Sequence, residues 1–190
     1  MIADTSLSTT RRVTDAPTRM FHWLFALCFS GAYLTSESER VQIVHAAFGY
    51  TIIALLVFRL IYGWLGPRSV RWSSVITKLK AAKNFSLVWT TSCLLVLPAP
   101  LILSGYVLYV GTSDWLEEVH GFVANMMLLM VLAHLGSLVL ISIWRGANLA
   151  LPMWRGRVPG RGPDLITRPR VWLAVLLLTG SAVFGLWSVL

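Results

Sequence analysis

The chain has 190 residues, of which 56% are hydrophobic and only 13% are charged, and nine are tryptophan. This composition is far more apolar than that of a soluble domain, so it excludes an ordinary soluble enzyme and predicts a membrane protein. The formal net charge is nevertheless +8, and its meaning depends on where the basic residues lie.

Five apolar stretches are long enough to cross the hydrocarbon core of a bilayer, which takes roughly 20 helical residues. They lie at about 18–36, 41–65, 87–110, 115–143 and 171–190. Pro17 stands at a favourable helix-start position and extends the first stretch. That stretch follows basic residues, as a signal peptide does, but it has no small-residue cleavage site, so we expect a retained helix. The chain is therefore predicted to be a single membrane domain over residues 1–190.

The basic residues do not cover one face, as binding to nucleic acid would require, so no nucleic-acid partner is expected. They cluster before the first span, between the second and third, and between the fourth and fifth, which all share one side of the membrane. The opposite side carries five acidic residues and one arginine. These are Glu37, Glu39, Asp114, Glu117, Glu118 and Arg40. The positive-inside rule then predicts a cytoplasmic N-terminus and acidic loops that face outward.

The two outer loops, at about 36–40 and 111–114, are very short, so the spans that each loop joins must be antiparallel neighbours. The predicted fold is therefore an all-α integral membrane protein, with a four-helix transmembrane bundle and a fifth, peripheral transmembrane helix. Pro98 and Pro100 should kink the third span. Residues 75–83 fit either an amphipathic helix on the inner leaflet or a polar loop. Pro152–Pro169 is predicted to be an irregular inner loop.

All four histidines lie within predicted spans, where an ionisable side chain is costly and usually functional. His22 lies near the inner side of the first span, while His45 and His120 lie near the outer side of the second and fourth. His134 follows His120 by 14 residues, which places it about 21 Å further along the same helix and on nearly the same face. The spacing predicts an outer pair, His45 with His120, and an inner pair, His22 with His134.

Two opposed imidazoles at one depth are the ligands that a six-coordinate haem iron needs. Because the sequence has no C-x-x-C-H motif, we predict two non-covalently bound b haems, one for each pair. The alternatives are structural hydrogen bonding, a proton relay and another metal site. Zinc is disfavoured, because neither pair has a third ligand nearby within the spans.

Two arginines lie at the depth of the inner pair. Arg59 follows His45 by 14 residues, and Arg19 precedes His22 by three. Each could form charge-assisted hydrogen bonds to haem propionates. Alternatively, each could extend to the lipid headgroups while its aliphatic part stays in the membrane.

Three glycines accompany the histidines. Gly49 lies four residues after His45 and Gly121 directly follows His120, so both would let a flat macrocycle approach the backbone. Gly105 in the third span either has the same role or serves helix packing.

Several motifs can be recognised together. They are VTDAPTRMFHW (13–23), HAAFGY (45–50) with Arg59 and Gly63, VHGFVAN (119–125), Ala133 with His134, and Asn148 with Leu149. In these motifs the chain resembles the bacterial cytochrome b561 and nickel-iron hydrogenase b-type cytochrome family. The resemblance covers nearly the whole chain, although Tyr62 stands where the family pattern has a tryptophan. It implies four core helices, two b haems held at positions matching His22, His45, His120 and His134, and electron exchange with the quinone pool.

Two histidine ligands leave no open position at an iron, which favours outer-sphere electron transfer. We therefore expect electrons to pass between a periplasmic redox protein, such as a cytochrome c, and quinone in the bacterial inner membrane. Quinone oxidoreductase activity and a homodimer or larger complex are compatible with this hypothesis.

Three other functions remain open. A superoxide oxidase that reduces quinone is known in the family, although acidic outer loops should repel its anionic substrate. The chain could also be the membrane anchor of a hydrogenase or dehydrogenase, or a scaffold or transporter without haem.

Overall fold

The computed structural model describes residues 10–37, 39–68, 70–81, 84–111, 113–160 and 162–187. In chain order its elements are β1 (Thr10–Arg12), α1 (Ala16–Leu34), a 3-10 turn (Glu39–Val41), α2 (Gln42–Leu65), α3 (Trp72–Ala81), α4 (Phe85–Val96), α5 (Pro98–Val110), α6 (Asp114–Arg145), α7 (Leu151–Arg155), β2 (Arg157–Pro159) and α8 (Val171–Trp187). Helices follow the five apolar stretches of the sequence, although α1 ends two residues before the first stretch does. Residues 188–190 of the last stretch lie outside the described residues.

Among the described helices, three are long and apolar enough to cross a membrane, judged by length and composition: α2, α4 together with α5, and α6. With 32 residues, α6 is about 48 Å long, which exceeds the roughly 30 Å thickness of a hydrocarbon core. Its polar ends, Asp114 and Arg145, can therefore reach beyond the apolar layer. The chain is a mainly helical, multi-pass membrane protein.

In the third apolar stretch, α4 ends before Leu97 and α5 begins after it. Pro98 and Pro100 lack the backbone N–H groups that would continue the hydrogen-bond ladder at these positions. Leu97 itself keeps right-handed helical backbone angles, so the span continues through this point. The kink that the two prolines predict stays a prediction.

One half of the molecule is formed by α1, α2 and α8. Helix α1 packs along α2, and α8 packs against both of them. The ring of Phe48 on α2 occupies the space that a side chain at Gly31 of α1 would need, which shows how closely the two helices approach. Leu24, Ile52 and Leu55 lie in the buried core of this half.

The other half is formed by α4, α5 and α6, since α6 packs mainly against α4 and α5. Met127 of α6 is almost completely buried and joins the core cluster of the first half. The Tyr33 hydroxyl of α1 donates a hydrogen bond of 2.7 Å to Oδ1 of Asn125 on α6. A polar pair of this kind holds membrane helices together, so the two halves are joined between the depths of the two histidine pairs.

The inner loop is more ordered than the sequence suggested. Residues predicted to be irregular contain α7 and β2, and β2 pairs antiparallel with β1, with Val158 opposite Arg11. The loop is also tied to α1, because Arg19 donates to the Trp154 carbonyl (3.0 Å) and Trp23 donates to the Met153 carbonyl (3.2 Å). The prediction of an irregular loop was wrong because its partners lie near the other end of the chain. The neighbouring segment, α3, is helical; whether it lies on the membrane stays a prediction.

Asp15, immediately before α1, is completely buried. Its Oδ1 atom accepts a hydrogen bond from the Thr18 amide (3.3 Å), which caps the helix, and its Oδ2 atom accepts one from the Tyr62 hydroxyl of α2. Arg170 also contacts this hydroxyl. The start of α1 is therefore anchored to the inner end of α2 and to the segment that precedes α8.

Tyr62→Phe should lower the free energy of unfolding by about 1–3 kcal/mol, because a buried carboxylate oxygen of Asp15 would lose its hydrogen-bond donor. Thermal unfolding of the purified protein in detergent measures the change. Tyr106→Phe is the matched control, since the side chain of Tyr106 is 54% exposed. Equal melting temperatures for Tyr62→Phe and the parent protein would contradict the anchoring role of Asp15.

Candidate functional site

The outer histidine pair joins the two halves of the molecule. His45 of α2 and His120 of α6 face each other with ring centroids 6.3 Å apart and ring planes at 75°. A metal–imidazole bond is about 2 Å long, and the ring centroid lies about 1 Å behind the nitrogen, so two rings on opposite sides of one metal ion would have centroids about 6 Å apart. The separation of the outer pair fits two ligands of one iron.

The environment of His45 also fits a metal ligand. Its Nδ1 atom lies 2.8 Å from the Ala32 carbonyl of α1. A carbonyl can only accept a hydrogen bond, so Nδ1 must carry the ring proton. The other nitrogen, Nε2, then keeps its lone pair, which is the tautomer that a metal requires.

The ring of His120 lies directly against α5. Its Nδ1 atom is 2.9 Å from the Ser104 hydroxyl, and a Cβ atom at Gly105 would lie 2.9 Å from its Cε1 atom. Gly105 therefore allows the imidazole to approach the backbone of α5. Of the two roles considered for this glycine, close packing is the one that the structure supports.

The inner pair consists of His22 of α1 and His134 of α6, which are close enough to interact electrostatically. The Nδ1 atom of His134 lies 3.5 Å from the Thr90 hydroxyl of α4. The ring of His22 contacts the neighbouring ring of Trp23 edge to face. The structure thus brings His45 near His120 and His22 near His134. That each pair binds a haem iron stays a prediction.

Three buried side-chain polar atoms have no hydrogen-bond partner within the part of the chain that the structure describes. They are Thr18 Oγ1, Arg19 Nε and His22 Nδ1, and all three lie on neighbouring turns of α1. Buried polar atoms are normally hydrogen-bonded, so this end of α1 is suited to meeting polar atoms of a bound group. The donors include an arginine N–H, which favours an acidic partner.

Arg59 lies inside the protein, beside the segment that follows α2. Its side chain is buried, its Nη1 atom donates to the Val70 carbonyl (3.4 Å), and its guanidinium carbon lies 4.6 Å from the ring centroid of Trp72. The guanidinium thus makes a cation–π contact inside the protein and does not extend to the headgroups. Its contact with a propionate stays a prediction.

Gly49 and Gly121 stand in open surroundings. A Cβ atom at either position would meet no atom within 4 Å. Packing within the described protein therefore does not require glycine at these two positions. The absence of a side chain there is consistent with the close approach of a macrocycle.

Among the described residues, no three histidine, cysteine, aspartate or glutamate side chains converge as a metal-binding group. Two imidazoles would suit a haem iron, and that either pair binds one stays a prediction. Ser104 and Thr90 lie beside the histidines although no sequence pattern singled them out. The signal that points to them is a hydroxyl in an apolar span that has no histidine of its own.

Facing imidazole pairs at two depths of a helical membrane protein define the class of membrane b-type cytochromes. A family model described as prokaryotic cytochrome b561 matches residues 13–156, a range that includes all four histidines. The chain belongs to the prokaryotic cytochrome b561 family, and is thus a haem-binding membrane protein of electron transfer. No curated protein and no solved structure matches the chain significantly.

Gly105→Ala should displace the His120 ring, because the new methyl group would lie too close to it. We expect haem content to fall below the parent value, as measured by haem absorbance per mole of purified protein. Gly180→Ala on α8 is the control, since a Cβ atom there meets nothing within 4 Å. Unchanged haem content in Gly105→Ala would show that the ring can move without loss of binding.

Proposed function

We propose that this cytochrome holds two b haems, an outer one between His45 and His120 and an inner one between His22 and His134. The bundle that holds them consists of α1, α2, the α4–α5 pair and α6, and α8 lies outside it. The 6.3 Å separation of the His45 and His120 rings is the observation that carries this proposal. When bound, each haem supplies a one-electron ferric/ferrous couple.

Helix α6 sets the geometry of both sites, because it contributes one ligand to each. His120 and His134 are separated by about 21 Å along the helix and lie on nearly the same face. A single rigid helix therefore keeps the two sites in register across the membrane. Two histidines at each iron would leave no coordination position for a substrate, so the residues favour electron transfer over substrate activation at the metal.

Of the two candidate arginines, Arg19 is the better partner for a haem propionate. Its Nη1 atom already donates to a carbonyl, but its buried Nε atom has no partner among the described residues. Thr18 offers a second unpaired polar atom on the same helix. Arg59, in contrast, is occupied by Val70 and Trp72.

The proposed route runs between a redox protein in the periplasm and the quinone pool of the bacterial inner membrane, with the N-terminus in the cytoplasm. Glu37, Asp114, Glu117 and Glu118 are all exposed at the outer end of the helices. Such a surface suits a protein with a basic docking patch, for example a small cytochrome c. It is less suited to an anion such as superoxide.

His134→Ala should reduce the haem content from two to one per chain, because the inner site loses an axial ligand. A reduced-minus-oxidised spectrum with haem quantification measures this. Leu135→Ala is the matched control, since it is the next residue of α6 and its side chain is 52% exposed. A colourless parent protein, or a parent with one haem that His134→Ala retains, would overturn the two-haem proposal.

The rate of electron exchange with a small basic cytochrome c should fall as salt rises from 0.01 to 1 M, because the Debye length shortens from about 30 Å to about 3 Å. Stopped-flow spectroscopy measures the rate. The double variant Glu117→Gln, Glu118→Gln should exchange more slowly at low salt and depend less on salt, while a neutral chemical reductant should react equally with both proteins. A rate independent of salt would refute electrostatic docking and leave the haem proposal untouched.

A further inference from the structure

The span formed by α4 and α5 contains no histidine, so it has no ligand role in the two-haem proposal. It nevertheless directs one hydroxyl at each histidine of α6. Ser104 of α5 lies against His120, and Thr90 of α4 lies against His134. Both hydroxyl-bearing side chains are buried, with 6% and 4% of their surface exposed.

The direction of the outer hydrogen bond follows from the other neighbours of Ser104. Its Oγ atom lies 2.8 Å from the Pro100 carbonyl and 3.0 Å from the Leu101 carbonyl. Both carbonyls can only accept, and a helical serine commonly donates to the carbonyl four residues earlier, so we assign the single hydroxyl proton to one of them. With this assignment the oxygen lone pairs remain for His120, and its Nδ1 atom is the donor.

The inner contact repeats this arrangement at a longer distance. The Thr90 hydroxyl donates to the Ser86 carbonyl, 2.9 Å away, and is left to accept from Nδ1 of His134 at 3.5 Å. With this assignment both α6 histidines carry the proton on Nδ1 and present Nε2 as the free nitrogen. Two residues in different helices thus favour the same tautomer.

Many hydroxyls in membrane helices bond to the carbonyl four residues earlier without any further role. Thr51 and Thr179 do so in this chain. Ser104 and Thr90 differ from them because an imidazole nitrogen completes the chain of hydrogen bonds. Such a chain polarises the hydroxyl and makes it a stronger acceptor.

We propose that α4 and α5 position the two α6 histidines of this cytochrome. In this arrangement Ser104 lowers the reduction potential of the outer haem, and Thr90 lowers that of the inner haem. The inference rests on the proposed pairing of the histidines. An acceptor at Nδ1 fixes the ring orientation and increases the basicity of Nε2. A more basic ligand stabilises ferric over ferrous iron, so loss of the acceptor should raise the reduction potential of that haem alone.

The size of the effect should differ between the two sites. The contact of Ser104 is shorter than that of Thr90, so its removal should cause the larger shift. The Leu101 carbonyl also lies near His120, and after Ser104→Ala the ring should turn toward this remaining acceptor. The electron paramagnetic resonance signal of the oxidised outer haem should therefore change as well, because it depends on the angle between the two imidazole planes.

The test is a spectroelectrochemical titration of the haem-loaded protein in detergent. Ser104→Ala should raise one midpoint potential and Thr90→Val the other, and each tenfold change in ferric over ferrous preference corresponds to about 59 mV for a one-electron couple. The variants Ser104→Thr and Thr90→Ser keep the hydroxyl and should restore the parent potentials. Thr179→Val on α8, which removes a hydroxyl that faces no histidine, should change neither.

Two results would overturn the inference. One is a pair of parent-like potentials in both Ser104→Ala and Thr90→Val. The other is an equal shift in Ser104→Ala and Ser104→Thr, which would assign the effect to packing and not to the hydroxyl. Either result, in a protein that still contains two haems, would leave the proposed function standing. A parent protein without two haems would defeat the proposed function itself.

Discussion

The structure depends on one constraint, which is that an imidazole inside a membrane must find a partner for each ring nitrogen. Neither lipid nor bulk water can supply one at this depth, and an unsatisfied polar group there is costly. For three of the four histidines the protein supplies a polar partner for Nδ1. His45 has the Ala32 carbonyl, His120 has the Ser104 hydroxyl and His134 has the Thr90 hydroxyl. With Nδ1 occupied, Nε2 is the nitrogen that remains for a bound group. The arrangement of hydroxyls, carbonyl and glycine around the rings follows from that requirement.

The same constraint explains why the pairs bridge the two halves of the molecule. Each pair takes one histidine from the α1–α2 half and one from α6, so a bound iron would tie the halves together at two depths. Between these depths the Tyr33–Asn125 hydrogen bond already joins α1 to α6. At the inner end, Asp15 anchors the start of α1 to Tyr62 of α2. Polar contacts thus fix the spacing that apolar side chains, which pack equally well against lipid, would not specify.

Sequence reasoning succeeded where the signal was periodic or local. The helices follow the apolar stretches, α5 begins at Pro98, and helical geometry alone set His134 below His120. It failed where two distant segments meet. The pairing of β1 with β2, the burial of Arg59 against Trp72 and the approach of Ser104 to His120 all join separate elements. Arg19 and Arg59 look equivalent in the sequence, and only such contacts between separate elements distinguish their environments.

The two histidine pairs also differ in how well hydrogen bonds pre-organise their imidazole rings. At the outer site both rings have a short Nδ1 contact, at 2.8 and 2.9 Å. At the inner site His134 has a 3.5 Å contact, and Nδ1 of His22 has no partner in the described part of the chain. A ring held on one side by a good hydrogen bond loses less freedom when its other nitrogen is bound. As haem ligands, the outer pair would therefore be the better organised set, whereas the inner pair, beside the unpaired Nε of Arg19 and Oγ1 of Thr18, would depend more on the bound group to become ordered.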